Sequence, residues 1–373
     1  FNEVLINFHD SVYRLPQVRG TLRQMRRRND NRFVFLTFLK GKGLLFGLFF
    51  ILTVSCAKRD SAEVVFRYAN EQPEAALRSQ SMIKFFKEQL EERSNGRIKV
   101  ELFFGGVLGN ERELMDFVQT GVLQGTRGGF FADANPKFIL FTLPFLVDDW
   151  DQAQRLVQSD FTRKINEGAR EWGFHVPATG ISQGFRAHTN NKKPIRHPDD
   201  LKGLKMRVPS QEVYVQTSKA FGANPQELPY VEVYQALQTG VVDGQDNAPS
   251  NIWDFKIHEV SEYLTITNYA TGPDPLMVNL GWYESLPYDL KIIFDEVSRE
   301  TMEFSDRINR EKEAEYIEKI SNKLEVNHVT GDDLIPFRDA VKPVYQYFEE
   351  KGILTLDEIQ KAREVAAGKP IKP

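Results

Sequence analysis

Downstream of residue 60 the chain alternates short apolar runs with longer stretches in which apolar residues recur at helical spacing. Val64-Val65-Phe66-Arg67-Tyr68-Ala69 predicts a first strand. From Ala75 to Arg93, Ile83, Phe86 and Leu90 fall on one helical face with Met82 and Phe85 beside them, and Asn95-Gly96 supplies the stop. Arg97 to Leu102 alternates polar and apolar strictly, the signature of a strand with one buried face. Asn110 followed by Glu113 has the form of a capping box, and Gly121 closes the helix it opens. Strands and helices taking turns predict an α/β fold of mainly parallel sheets flanked by helices.

Further along, Lys205-Met206-Arg207-Val208-Pro209 is a short extended run. Ser210 is placed to cap the first of two amphipathic helices, and a polar Gly-Gln-Asp-Asn turn comes after them. From Pro287 to about Leu324 the chain is densely charged, with neither glycine nor proline in between, which predicts one long helix or two in series. One internal echo bears on architecture. Val118-Gln119-Thr120-Gly121-Val122-Leu123-Gln124-Gly125 returns as Leu237-Gln238-Thr239-Gly240-Val241-Val242-Asp243-Gly244. Each copy is a helix end, a glycine stop, a short apolar strand and a second glycine. The interval is far too long for a solenoid repeat and fits equivalent units in two lobes.

Composition narrows the function classes. The chain has 373 residues, 41% hydrophobic and 12% aromatic, enough for two ordinary domains with real cores. The formal net charge of −4 is unevenly spread: residues 1–55 hold nine Lys/Arg and three acids, leaving 39 basic and 49 acidic residues in the remainder. So acidic a body argues against a nucleic-acid partner, and it requires any anionic ligand to be held by a few local arginines. Met25, a cluster of arginines and an apolar core from about Gly43 to Val54 have the order of a secretion signal, too short to span a bilayer. Residues 1–24 are then an upstream extension and 25–56 a signal peptide. Its last residue, Cys56, is the only cysteine, so the fold holds no internal disulfide.

The order Arg207-Val208-Pro209, two helices, then Gly244-Gln245-Asp246-Asn247 resembles the ligand-clamping segment of the TRAP-transporter solute-binding proteins, the DctP-like family. The resemblance runs from about Val64 to about Phe348. It implies a periplasmic-binding-protein-like fold of two lobes, with a long helix crossing both. The implied division is 62–183 for the first lobe, 184–272 for the second, 273–312 for a return to the first with the long helix, and 313–373 to complete the second. It also implies capture of a small organic acid, a C4-dicarboxylate or a sugar acid, for a TRAP permease in the membrane. Leu52-Thr53-Val54-Ser55-Cys56 resembles a lipobox with its leucine one place early, which would make Cys56 a lipid attachment at the outer face of the cytoplasmic membrane.

The resemblance also assigns candidate ligand-binding residues. Arg207 pairs with the ligand carboxylate, a role suited to the rigid donor fork of guanidinium. Arg186, in Gly184-Phe185-Arg186-Ala187-His188, is the second arginine on the same ligand. Asn247 contacts the carboxylate through its amide, and Tyr230 supplies an aromatic wall. Arg127, in a first-lobe loop whose identity varies with ligand class, would suit a second carboxylate or a keto group. Asn70 and Gln72, just past the first strand, are placed to meet hydroxyls. Asp274, after Tyr269 in a region where many members carry histidine, is assigned to the far end of the pocket. The corresponding plain readings are a strand-end arginine, a surface ion pair and a turn asparagine.

No HExxH or Cys/His ligand spacing, phosphate-binding GxxxxGK[ST] loop, GxGxxG pattern or GxSxG elbow occurs, so no metal, cofactor or catalytic frame is expected. The competing readings are a solute-binding protein of the ABC type and, from another class, an exported enzyme acting on an organic or sugar acid.

Overall fold

The computed structural model describes residues 62–181 and 183–369. The extension 1–24, the signal segment 25–56 and Cys56 lie outside the described residues. Among the described residues, twelve strands run in chain order: β1 (Val64–Ala69), β2 (Ile98–Phe103), β3 (Gly125–Arg127), β4 (Phe174–His175), β5 (Thr179–Ile181), β6 (Ala187–Asn190), β7 (Lys205–Val208), β8 (Asn224–Glu227), β9 (Gly244–Asn247), β10 (Tyr263–Ile266), β11 (Pro273–Asn279) and β12 (Glu325–His328). They form two sheets. One has the order β2-β1-β3-β11-β4 with β5 also on β11, and the other β12-β10-β6-β9-β7-β8.

The pairing is mixed, where the alternation of strands and helices predicts mainly parallel sheets. β1 is parallel to β2 and β3, β7 to β8 and β9, and β10 to β12. β6 and β11 run antiparallel to all their neighbours. Both arrive directly from the other sheet, without the crossover helix that a parallel neighbour in the same sheet requires.

The echoed segments occupy equivalent places. Helix Glu111–Gln119, opened by the Asn110–Glu113 capping box, ends before Gly121 at φ 79° and leads into β3 between β1 and β11. Helix Val233–Gln238 ends before Gly240 at φ 74° and leads into β9 between β7 and β6. Both glycines take the left-handed conformation that closes a helix without a Cβ clash. The result is a two-lobe α/β fold with one sheet in each lobe.

Helix Tyr288–Ser321 ties the two together. Its 34 residues span roughly 51 Å at 1.5 Å per residue. Leu290, Phe294, Val297 and Met302 enter the core built on Phe66, Phe86 and Leu276, while Ile320 enters the core built on Leu237, Ile252 and Leu264. The buried residues of this densely charged helix thus reach both lobes. Helix Leu356–Ala366 lies on helix Trp150–Val157, with Arg155 Nε donating to Ala366 O at 2.7 Å and Lys137 paired with Glu358 at 2.8 Å.

Candidate functional site

Parallel strands expose their C-terminal ends to loops, and in open α/β sheets ligands bind beyond those ends. Here β1 and β3 of one sheet, and β7 and β9 of the other, deliver their last residues or following loops to one cleft. It is a narrow cleft, with about 50 Å³ open to a water-sized group.

Arg207 reaches this cleft from β7 and is almost wholly buried. Its Nε donates to Leu228 O at 2.8 Å, and its guanidinium lies 5.0 Å from the centroid of the Tyr230 ring. The carbonyl and the ring fix the orientation of the fork. Burial lowers its pKa to about 10, so it remains charged at neutral pH. No described carboxylate forms an ion pair with it. The helix after β7 starts at Glu212 with Gln211 at the cap position and no side-chain cap, so Ser210 does not cap it.

Arg186 sits just before β6, over the Tyr214 ring at 4.5 Å. It is already paired: Nε donates to Asp246 Oδ2 and an Nη donates to Asp246 O at 2.6 Å. The Tyr269 hydroxyl donates to the same Asp246 oxygen. Burial opposes the charge on both partners. Their attraction prevails, holding Arg186 well above its ordinary pKa and Asp246 below the usual carboxylate range. Gly244-Gln245-Asp246-Asn247 is therefore no turn. It is β9, inside the sheet, with Gln245 Nε2 bonded to Thr189 Oγ1 at 2.9 Å. Polar residues tolerate that interior because each finds a specific partner. Asn247 lines the cleft, and its side-chain oxygen accepts from Ala248 N and Asn251 Nδ2 at 2.9 and 2.8 Å. Its NH2 group is what remains to offer a ligand.

Three candidates are not in the cleft lining. Arg127 is buried beneath it, where an Nη donates to Asp274 Oδ2 at 2.5 Å and to Ser305 Oγ at 3.1 Å, and the other to Ser81 Oγ at 3.0 Å. Asp274 is shared with Arg78, whose Nε lies 3.2 Å from the same oxygen. Burial disfavours the Asp274 anion, yet the two guanidinium groups hold its pKa below the usual range. Both residues are thus engaged with each other and lie outside the cleft lining. Asn70 is turned under the sheet, donating to the Tyr68 hydroxyl at 2.9 Å, because residues two apart on an extended chain share a face. Gln72, Arg186, Arg207, Tyr230 and Asn247 do meet in the cleft.

The cleft also contains groups that the motifs do not single out. Glu71 is buried, with Oε1 accepting from Glu111 N at 2.6 Å. Burial and the neighbouring Glu111 carboxylate push its pKa up to about 8. Glu111 opens helix Glu111–Gln119 and lies against Gly128 and Gly129; a Cβ at Gly128 would come 2.9 Å from its Oε1. Arg78, Gln183, Tyr214 and Asn251 complete the polar lining. Continuing the strand alternation of β1 by one residue places Glu71 opposite Asn70 and could have found it. Arg78, Glu111 and Gln183 have no local signal, since they come together only through tertiary packing.

Residues 68–351 match the family model described as bacterial extracellular solute-binding protein, family 7. The C4-dicarboxylate-binding periplasmic protein of Rhodobacter capsulatus is 28% identical over 274 residues, 71% of this chain and 81% of that protein. A TRAP periplasmic solute-binding protein from Haemophilus influenzae, solved with bound L-gulonate, superposes with a TM-score of 0.77 at 26% identity. The match covers 81% of this chain and 99% of that one. Another from Sulfurospirillum deleyianum, with bound succinate, gives a TM-score of 0.75 at 27% identity over 82% of this chain and 100% of that one. The chain belongs to family 7 of the bacterial extracellular solute-binding proteins, the solute receptors of TRAP transporters.

Proposed function

We propose that this chain captures a small organic acid, a C4-dicarboxylate or a sugar acid, through an ion pair between Arg207 and the ligand carboxylate. The observation that carries this reading is the buried Arg207 fork in the cleft, oriented by Leu228 O and Tyr230 and without an ion pair to any described carboxylate. A buried guanidinium is stabilised best by an anion that can accept two parallel hydrogen bonds. Residues 62–183 with 273–312, and 184–272 with 313–373, act as the two bodies that close on the ligand by hinge motion. The loaded protein then delivers its acid to a TRAP permease from the periplasm or the outer face of the cytoplasmic membrane, where Cys56 serves as lipid attachment. The chain performs no chemistry on the ligand.

The test is thermal denaturation of the full chain with C4-dicarboxylates, aldonates, uronates and 2-oxo acids. A ligand at hundredfold excess over its Kd adds about 2.7 kcal/mol and raises the melting temperature visibly. Failure of every acid to shift it would remove the reading, as would turnover of any bound acid.

A further inference from the structure

Charge around the cleft comes in nearly matched pairs, and the imbalance defines what the ligand must bring. Arg186 is matched by Asp246. Asp274 serves both Arg78 and Arg127. Glu111 and Arg207 border the same cleft, and Glu111 is close enough to favour the charge on Arg207. Burial raises two further acids, Glu71 to about 8 with the help of the Glu111 carboxylate, and Asp306 well above the usual carboxylate range. His188, behind Asp246, is neutral because burial lowers its pKa to about 4. Arg78, Arg127 and Arg186 thus each hold a carboxylate in an ion pair, and Arg207 holds none among the described residues.

The remaining lining is uncharged and under-used. Glu71 Oε2, Gln72 Oε1 and both amide atoms of Gln183 are buried without a hydrogen-bond partner among the described residues. The parent side chains are 3%, 4% and 3% exposed. Buried polar atoms left unpaired are costly, so a ligand that supplies their partners gains. Amide carbonyl oxygens accept, amide NH2 groups donate, and a protonated Glu71 carboxyl donates through its O–H. A hydroxyl does both and satisfies such a mixed set. A second carboxylate only accepts. It would also meet Glu111, with the other arginines of the cleft, Arg78 and Arg186, already holding an acid.

We propose that the ligand is a hydroxylated monocarboxylate, with its carboxylate on Arg207 and its hydroxyls on Glu71, Gln72 and Gln183, and that dicarboxylates of the same length are disfavoured. This rests on the organic-acid reading above and chooses between its two ligand classes. It also reverses what Arg127 suggests in the sequence, because that arginine's charge is answered by Asp274.

The deciding experiment is calorimetric titration of the full chain at pH 7 with acids that differ only at the far carbon. Threonate and tartrate, and gluconate and glucarate, each exchange a terminal CH2OH for a carboxylate. Butyrate reports the carboxylate without hydroxyls. The monocarboxylate of at least one pair should bind tenfold or more tighter than its dicarboxylate, with butyrate weakest. Glu111→Gln should narrow the gap by several-fold by removing the opposing charge. Equal or tighter binding of the dicarboxylates, or butyrate binding as well as threonate, would overturn the preference while leaving the organic-acid reading intact. A preference that survives unchanged in Arg207→Ala would remove the ion-pair reading instead. Absence of heat with every acid would remove both.

Discussion

Arg127 donates to Asp274 at 2.5 Å beneath the binding cleft, and Asp274 accepts at the same oxygen from Arg78. One carboxylate thus answers two guanidinium groups in a site with almost no water contact. Breaking a buried pair by removing one partner leaves an uncompensated charge. Asp274→Ala should therefore cost about 3–5 kcal/mol of folding stability, read as a lowered urea midpoint. A loss below about 1 kcal/mol would contradict a structural role for this pair.

Arg207 makes the opposite prediction. It holds no described acid, so its removal should weaken binding rather than folding. Arg207→Ala should lose on the order of 3–5 kcal/mol of ligand affinity with a small change in melting temperature. Arg207→Lys should also bind poorly, because a single ammonium cannot present two parallel donors. Calorimetry on both variants checks this, and near-normal affinity of the lysine form would mean that charge alone suffices.

Glu71 should give the cleft a pH dependence. Burial and the Glu111 carboxylate raise its folded pKa to about 8, above the ordinary value of 4.5. Between those values the folded state binds more protons than the unfolded one, so stability declines as pH rises from about 5 to about 8, and the decline levels off above that. An anionic ligand beside Glu71 favours its protonated form, so affinity should fall as pH climbs past about 8. Glu71→Gln should flatten both curves. Urea titrations and calorimetry from pH 5 to 9 test the sign, and stability that rises over this window because of Glu71 would refute it.

Gly244 begins β9 where it passes β6. A Cβ there would collide with the Thr189 carbonyl oxygen and would lie 2.8 Å from both Asn190 Cβ and Met206 Sδ. Backbone cannot swing aside as a side-chain tip can. Gly244→Ala should destabilise by about 1–3 kcal/mol by forcing the strands apart. It should also weaken ligand binding, because the same strand carries Asp246 and Asn247. Melting and titration of this variant should move together. Loss of stability with intact affinity would show that the strand tolerates displacement.

Local pattern alone was enough for much of this molecule. The apolar spacing of Ile83, Phe86 and Leu90, the Asn110–Glu113 box, the alternation from Arg97 to Leu102 and the uninterrupted run after Pro287 all lie where the corresponding elements form. Such signals survive because helix and strand periods are properties of neighbouring residues. The echo of 118–125 in 237–244 even marks equivalent strands in the two sheets.

Pairing across long sequence separations carries no such signature. That β6 and β11 run antiparallel follows from chain paths between lobes, which local periodicity cannot encode. The fate of each arginine is decided the same way. Arg127 and Asp274 are 147 positions apart, and Arg186 and Asp246 are 60 apart. Sequence pattern and motif supplied the family and the candidate arginines. Only tertiary structure decided which of them are neutralised by an acid and which one, Arg207, faces the cleft without one, because a charge is defined by what folding places within a few ångströms of it.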